Sequence, residues 1–186
     1  MSRRAGPQVT AVAVLAAGAA VAAIAVVQQH RAASRDARAR LVAEVVSDHL
    51  RLLAAARPVE LESGDAHEVK PWLAARLEFA PAVPVAAGSE LRLRGAAVGY
   101  VFDRKAAVIV YRLRLHQVTL LAFRADGLDA PAVGAPRLEQ ASERGFHAVL
   151  WRTGELAWAL VSDSGAEELA RLARQLAAGA AGEGPG

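Results

Sequence analysis

The stretch 90–124 reads "ELRLRGAAVGYVFDRKAAVIVYRLRLHQVTLLAFR" and is rich in β-branched and aromatic residues. Its apolar residues either alternate with polar ones or form short continuous runs, which is typical of β-strands. Turn-forming residues at Asp103 to Lys105 and near His116 divide the stretch into segments of strand length. Because short turns join neighbouring strands in opposite directions, the stretch predicts an antiparallel meander.

A second hairpin is predicted from "GFHAVLWR" at 145–152 and "LAWALVS" at 156–162, with a turn around Gly154. This register brings Trp151 and Trp158 close enough to pack across the ladder. The interval 126–144 is rich in Ala, Pro, Gly and charged residues, and it is predicted to be a surface loop.

Three helical segments surround these strands. Apolar residues at three- and four-residue steps predict an amphipathic helix over roughly 37–56. A second helix is predicted from "HEVKPWLAARLEF" at 67–79, with Asp65 as its cap and Pro71 in its first turn. A third follows "SDSGAEEL" at 162–169. Helices before and after a contiguous set of strands predict the α+β class, because no βαβ alternation is present.

Eight aromatic residues are expected to lie mostly in or beside the core of this domain. They are Trp72, Phe79, Tyr100, Phe102, Tyr111, Phe123, Trp151 and Trp158.

The N-terminal part of the chain has no Lys, Arg, Asp or Glu between Arg4 and Arg31. Such a run is long enough to cross a hydrocarbon layer of ~30 Å as a helix. It predicts a short tail at 1–7 and a transmembrane helix at 8–29, and the family resemblance given below implies that the tail is cytoplasmic. A cleaved signal peptide is the alternative, although the run exceeds the usual h-region of about 7–15 residues. The folded domain is predicted at 37–178 and a disordered tail at 179–186.

Composition removes several classes of function. The chain has no cysteine, which excludes disulfides, Cys-ligated zinc and a thiol nucleophile. The net charge is only +3, and the basic residues after Arg40 alternate with acidic or apolar ones. A nucleic-acid partner is therefore not expected.

Five segments together resemble the extracytoplasmic half of the bacterial transmembrane anti-sigma factors. They are "SDHL" at 47–50, "GDAHEVKPWLAARLEFAPAVP" at 64–84, "VYRLRLHQVTLLAF" at 110–123, "GFHAVLW" at 145–151 and "WALVSD" at 158–163. The shared features are a D-H pair, an acidic-x-H-x-V-K-P-W run, a Y-R-x-x-x-H strand pair and an aromatic-Val-Ser-Asp segment. The matching residues are Asp48, His49, Asp65, His67, Lys70, Pro71, Trp72, Tyr111, Arg112, His116, Trp151, Trp158, Ser162 and Asp163.

The resemblance implies a membrane-anchored regulatory or sensor protein that acts through protein contacts in the cell envelope. It also implies a single-pass topology in the inner membrane with the C-terminal domain in the periplasm, whereas the arginine count on its own would favour the opposite orientation. Family members bind a sigma factor through a cytoplasmic module. Since few residues precede the apolar run here, direct sigma-factor binding is not expected, and the expected partner is an envelope or membrane regulatory protein.

A periplasmic metal-binding protein is the alternative function. Its candidate ligands would be His49, Asp65, His67 and His116, because imidazole and carboxylate are the ligands left to a cysteine-free site. The favoured interpretation needs no cofactor: His49 arrives beside Asp65 and His67 and forms a hydrogen-bonded lock between two helices.

Other polar residues receive plainer interpretations. Lys70 and Trp72 are a possible cation–π or packing pair, and His147 is one more imidazole available to a site. Tyr111, Arg112 and His116 at a strand end suit a small anion, although a buried Tyr111 is the simpler account. An enzyme is not expected, since the chain lacks G-x-S-x-G, H-E-x-x-H and Gly-rich phosphate motifs.

Overall fold

The computed structural model describes residues 7–86, 88, 90–128 and 138–182. Three helices and seven strands make up this part of the chain. In chain order they are α1 Pro7–Ala54, β1 Leu61–Glu62, α2 Ala66–Ala74, β2 Leu91–Val101, β3 Arg104–Leu113, β4 His116–Arg124, β5 Glu139–Glu143, β6 Phe146–Thr153, β7 Leu156–Ser162 and α3 Ala166–Gly182.

The strands form one antiparallel sheet in the order β1-β2-β3-β4-β7-β6-β5. The predicted meander is present as β2, β3 and β4, with turns at 102–103 and 114–115; the first turn precedes Arg104 and Lys105, which were predicted to belong to it and lie in β3. The predicted second hairpin is β6–β7, in which Trp151 lies opposite Trp158 with parallel rings 6.0 Å apart. The α+β class and the antiparallel sheet are therefore confirmed.

Each face of the sheet carries its own apolar core. Val69 and Leu73 of α2 and Leu169 and Leu176 of α3 pack on one face. The last turns of α1 pack on the other face, where they contribute Leu41, Val42, Val45 and Val46. This division follows from the alternation of side chains along each strand, which sends neighbouring residues to opposite faces.

The chain divides into two compact units, Met1–Ala37 and Arg38–Gly186. The described part of the first unit is helical from Pro7 onward and includes the predicted membrane segment 8–29. Over the residues that the structure describes, no helix is both long enough and apolar enough to cross a membrane. The predicted tail at 1–7 lies outside the described residues except for Pro7.

The structure differs from the predicted elements at three places. Pro71 lies in the second turn of α2 rather than the first, and α2 ends three residues later at Ala74. Because Pro71 has no N–H to bond the carbonyl oxygen of His67, it weakens the interior of α2, and after Ala74 the chain continues only as a turn in which the Leu77 N–H donates to the carbonyl oxygen of Leu73. Within the predicted loop 126–144, residues 139–143 form the edge strand β5, and 129–137 lie outside the described residues.

The third difference concerns the C-terminus. Helix α3 continues to Gly182, so residues 179–182 of the predicted disordered tail are helical, while 183–186 lie outside the described residues. Packing accounts for the extension: Ala180 is buried, and Gly179 lies so close to Pro84 that an added Cβ would sit 3.3 Å from its ring.

Candidate functional site

His49 is the most deeply buried ionisable group described in the domain. It lies on α1, is fully buried against the sheet, and its Nδ1 lies 2.8 Å from the hydroxyl oxygen of Thr119 on β4. The ring of Phe146 meets the imidazole edge-to-face at 5.2 Å. Burial lowers the pKa of His49 to about 4, and the charge of Asp163 only partly opposes this shift. His49 is therefore neutral near pH 7 and serves as a packed hydrogen-bonding group.

Three further polar contacts lie at the same end of the sheet. His116, at the start of β4, places its Nδ1 2.9 Å from Asp163 Oδ1, just beyond the end of β7. The hydroxyl of Ser162 donates to the carbonyl oxygen of Gln117 at 2.9 Å, and the backbone N–H of Ser164 donates to the Ser162 hydroxyl oxygen. These bonds fasten the beginning of β4 to the turn that leads into α3.

Four of the five segments that carry the anti-sigma resemblance converge at this end. They contribute His49 from α1, His116 from β4, Phe146 from β6, and Ser162 and Asp163 from the end of β7. These residues meet through the tertiary fold and not through the local sequence. Strands β4 and β7 pair, for example, although 31 residues separate Arg124 from Leu156. The fifth segment contains α2, which packs on the face of the sheet opposite to α1.

The predicted lock between His49, Asp65 and His67 is wrong. Asp65 caps α2 as expected, since its Oδ1 accepts from the backbone N–H of His67 at 2.8 Å. However, α2 packs on the opposite face of the sheet from α1, so His49 bonds Thr119 instead. Within the described ranges, no three His, Asp or Glu side chains are grouped as a metal ion would require.

Asp48 is the second buried ionisable group at the α1–sheet interface. Its Oδ1 accepts from Arg51 at 2.8 Å, whereas its Oδ2 is buried with no partner among the described residues. Desolvation raises the pKa of Asp48, and Arg51 only partly counters this. Gly99 lies beside this carboxylate: a Cβ added there would be in ordinary contact with Asp48 Oδ2 at 3.5 Å, but would lie only 2.7 Å from the Val108 side chain.

The remaining candidate residues act in packing or lie on the surface. Tyr111 is buried and its hydroxyl donates to the carbonyl of Pro84 at 2.8 Å. Trp72 is half-buried, and the guanidinium carbon of Arg76 lies 4.1 Å from its ring centroid, which is a cation–π contact that the sequence did not predict. His147 lies 2.8 Å from the Ser142 hydroxyl across the β5–β6 ladder.

Six of the eight aromatic residues predicted to lie mostly in or beside the core do so, and two are exposed. Tyr100 is 53% exposed and Phe102 is 43% exposed, both at the tip of the β2–β3 hairpin. Beside them is an open cavity of about 390 Å³, whose wall combines Tyr100 and Phe79 with charged side chains of both signs. Those charged residues are Glu78, Asp103, Arg104, Lys105, Arg124 and Asp126. Exposed aromatics with a rim of mixed charge are typical of protein contact surfaces.

No protein-family model, curated protein or solved structure matches the chain. The resemblance to anti-sigma factors therefore rests on the quoted segments alone.

Proposed function

We propose that residues 38–182 are a regulatory or sensor module that acts by binding another protein of the cell envelope. The proposal rests on the exposed surface at the tip of the β2–β3 hairpin. This surface, called here the tip surface, consists of Tyr100, Phe102, Arg104 and Lys105 of the hairpin and of Phe79 beside them. Large aromatic side chains contribute most of the binding energy at many protein interfaces, and their exposure on a free domain costs apolar hydration. Arg104 and Lys105 have no ion-pair partner among the described residues, so their charges remain available to a partner.

The polar groups at the other end of the sheet support the same class of function. His49 is buried and hydrogen-bonded, and Ser162 is occupied in holding a turn. Groups held in this way stabilise the fold that presents the tip surface.

The proposal includes the location of the module. The charge-free run from Ala5 to His30 and the anti-sigma resemblance support a single membrane anchor with the folded domain in the periplasm. Alkaline phosphatase and a cytoplasmic reporter, each fused to the C-terminus, test this part. Active phosphatase with an inactive cytoplasmic reporter is expected, and the reverse pattern would overturn the location but not the binding surface.

Site-specific crosslinking tests the tip surface. A photoreactive phenylalanine analogue at Phe102 should give a discrete crosslinked partner in intact cells, and a Tyr100→Ser substitution should reduce the yield. Leu115 is the matched control, because it is 86% exposed but lies in the β3–β4 turn at the opposite end of β3. Equal crosslinking from Phe102 and Leu115 would show that exposed apolar groups are captured at random, and the tip surface would be rejected.

A further inference from the structure

A cluster of arginines lies on the sheet near the end opposite the tip surface. Arg94 and Arg112 line a cleft of about 190 Å³, whose apolar wall is formed by Pro58 and Val59. Arg92 lies directly opposite Arg112 in the β2–β3 ladder. All three arginines are exposed, and none forms an ion pair with a described carboxylate. We call this group the arginine cleft.

Placing Arg92 opposite Arg112 is unfavourable for folding. Directly opposite residues of an antiparallel pair project from the same face of the sheet, and like charges there repel each other. Gln117 continues the row, because it lies opposite Arg112 in the β3–β4 ladder. Three hydrogen-bond donors therefore stand side by side across three strands with no acid between them.

Gln117 adds an independent observation. It lines the same cleft, and its amide nitrogen Nε2 is buried without a hydrogen-bond partner among the described residues. A buried donor that lacks a partner costs free energy, and an acceptor in the cleft would remove that cost. The Nε–H of Arg112 donates to the carbonyl oxygen of Arg114 at 2.9 Å, which holds the Arg112 side chain in place. The other guanidinium N–H groups of Arg112 have no hydrogen-bond partner among the described residues.

We propose that the arginine cleft binds a small oxyanion of the phosphate or carboxylate class. Guanidinium groups present paired N–H donors that match the oxygens of either anion. The volume of about 190 Å³ suits a single anionic group, since it is smaller than the pockets that hold whole drug-sized molecules. Glu62 is the one carboxylate among the residues that line the cleft, and its negative charge is set against the positive charges of Arg94 and Arg112. This site is separate from the tip surface and does not depend on the proposed function.

Titration calorimetry on the full chain in zwitterionic detergent tests the proposal, with inorganic phosphate and acetate as probes at constant ionic strength. At least one of these anions should bind, and Arg112→Gln or Arg94→Gln should weaken binding by about tenfold. Arg171→Gln removes the same charge from the exposed surface of α3 and is the matched control, for which no change is expected. Vesicles with and without phosphatidylglycerol then distinguish a lipid-borne phosphate from a free one.

Glu62→Gln gives the sharpest result, because it removes the one opposing charge. Binding of the anion should tighten by about two- to fivefold, whereas loss of a merely structural Glu62 would leave affinity unchanged. In the absence of anion, Arg92→Gln should raise the melting temperature, since it relieves the repulsion with Arg112. The proposal is overturned if neither anion binds, or if Arg171→Gln weakens binding as much as Arg112→Gln does.

Discussion

Replacing His49 by glutamine should remove a large part of the acid sensitivity of the fold. In the native protein the pKa of His49 is lowered from 6.5 to about 4 by burial. The unfolded chain therefore binds a proton in this pH range that the folded chain does not, and the free energy of unfolding falls as the pH drops from 6.5 to 4. A pKa difference of this size corresponds to about 3 kcal/mol, as an order of magnitude.

Asp48 works in the opposite direction and must be separated from His49. Because its pKa is raised in the folded state, its contribution to stability is present at low pH and is lost as the pH rises through the folded pKa. Acid thus favours folding through Asp48 and opposes it through His49. A comparison between the native protein and His49→Gln cancels the Asp48 contribution, provided that the carboxyl keeps its surroundings.

Urea unfolding, followed by the fluorescence of the buried Trp151 and Trp158, measures this difference at pH 7 and at pH 4. Glutamine lacks the titration of imidazole but can still bond Thr119, so the variant should lose about 3 kcal/mol less than the native protein between the two pH values. If both proteins lose the same stability, His49 is not the buried neutral base that its position indicates, and the reasoning from burial fails.

Two other substitutions test how the sheet is packed, each by the same urea assay. Trp151→Ala should cost about 3–5 kcal/mol because it empties a buried site, whereas Trp72→Ala should cost clearly less, since Trp72 is only half-buried; equal costs would contradict this order. Gly95→Ala should be strongly destabilising, because Gly95 has a φ of 150° and a Cβ there would lie 2.0 Å from the Leu61 carbonyl oxygen. A Gly95→Ala protein of native stability would show that β1 is not held against β2 in this way.

The local sequence predicts those parts of the fold that depend on turns and alternation. The meander β2–β3–β4 follows from turn residues near Asp103 and His116, and the pairing of Trp151 with Trp158 follows from the short turn at Gly154. The strand β5 was missed because "EQASE" is polar except for Ala141, as an edge strand with both faces partly exposed can be. The segment is a strand because its backbone pairs with β6, and this pairing cannot be inferred from its residue types.

The candidate site was less predictable because it depends on which face each helix covers. The spacing of His49 indicates an apolar helix face, but it cannot say that this face meets Thr119, 70 residues further along the chain. Tyr100 and Phe102 show the complementary problem. Tyr100 lies in β2 as predicted and Phe102 lies in the turn that follows, and at this hairpin tip both side chains are exposed. Helix coverage is a property of the assembled domain and has no local signal.

The tip surface and the arginine cleft both belong largely to the β2–β3 hairpin, which makes their independence testable. Tyr100 and Arg92 are eight residues apart on β2 and are thus separated by roughly 26 Å at ~3.3 Å per residue. Substitutions this far apart normally have additive effects. We therefore expect Tyr100→Ser to reduce partner crosslinking without changing anion affinity, and Arg112→Gln to do the reverse. If Arg112→Gln also lowers crosslinking, the two surfaces are energetically coupled. The β2–β3 hairpin would carry this coupling, because residues of both surfaces lie on its two paired strands. Anion binding would then regulate the partner contact, and adding phosphate to the crosslinking reaction should change the yield for the native protein but not for Arg112→Gln.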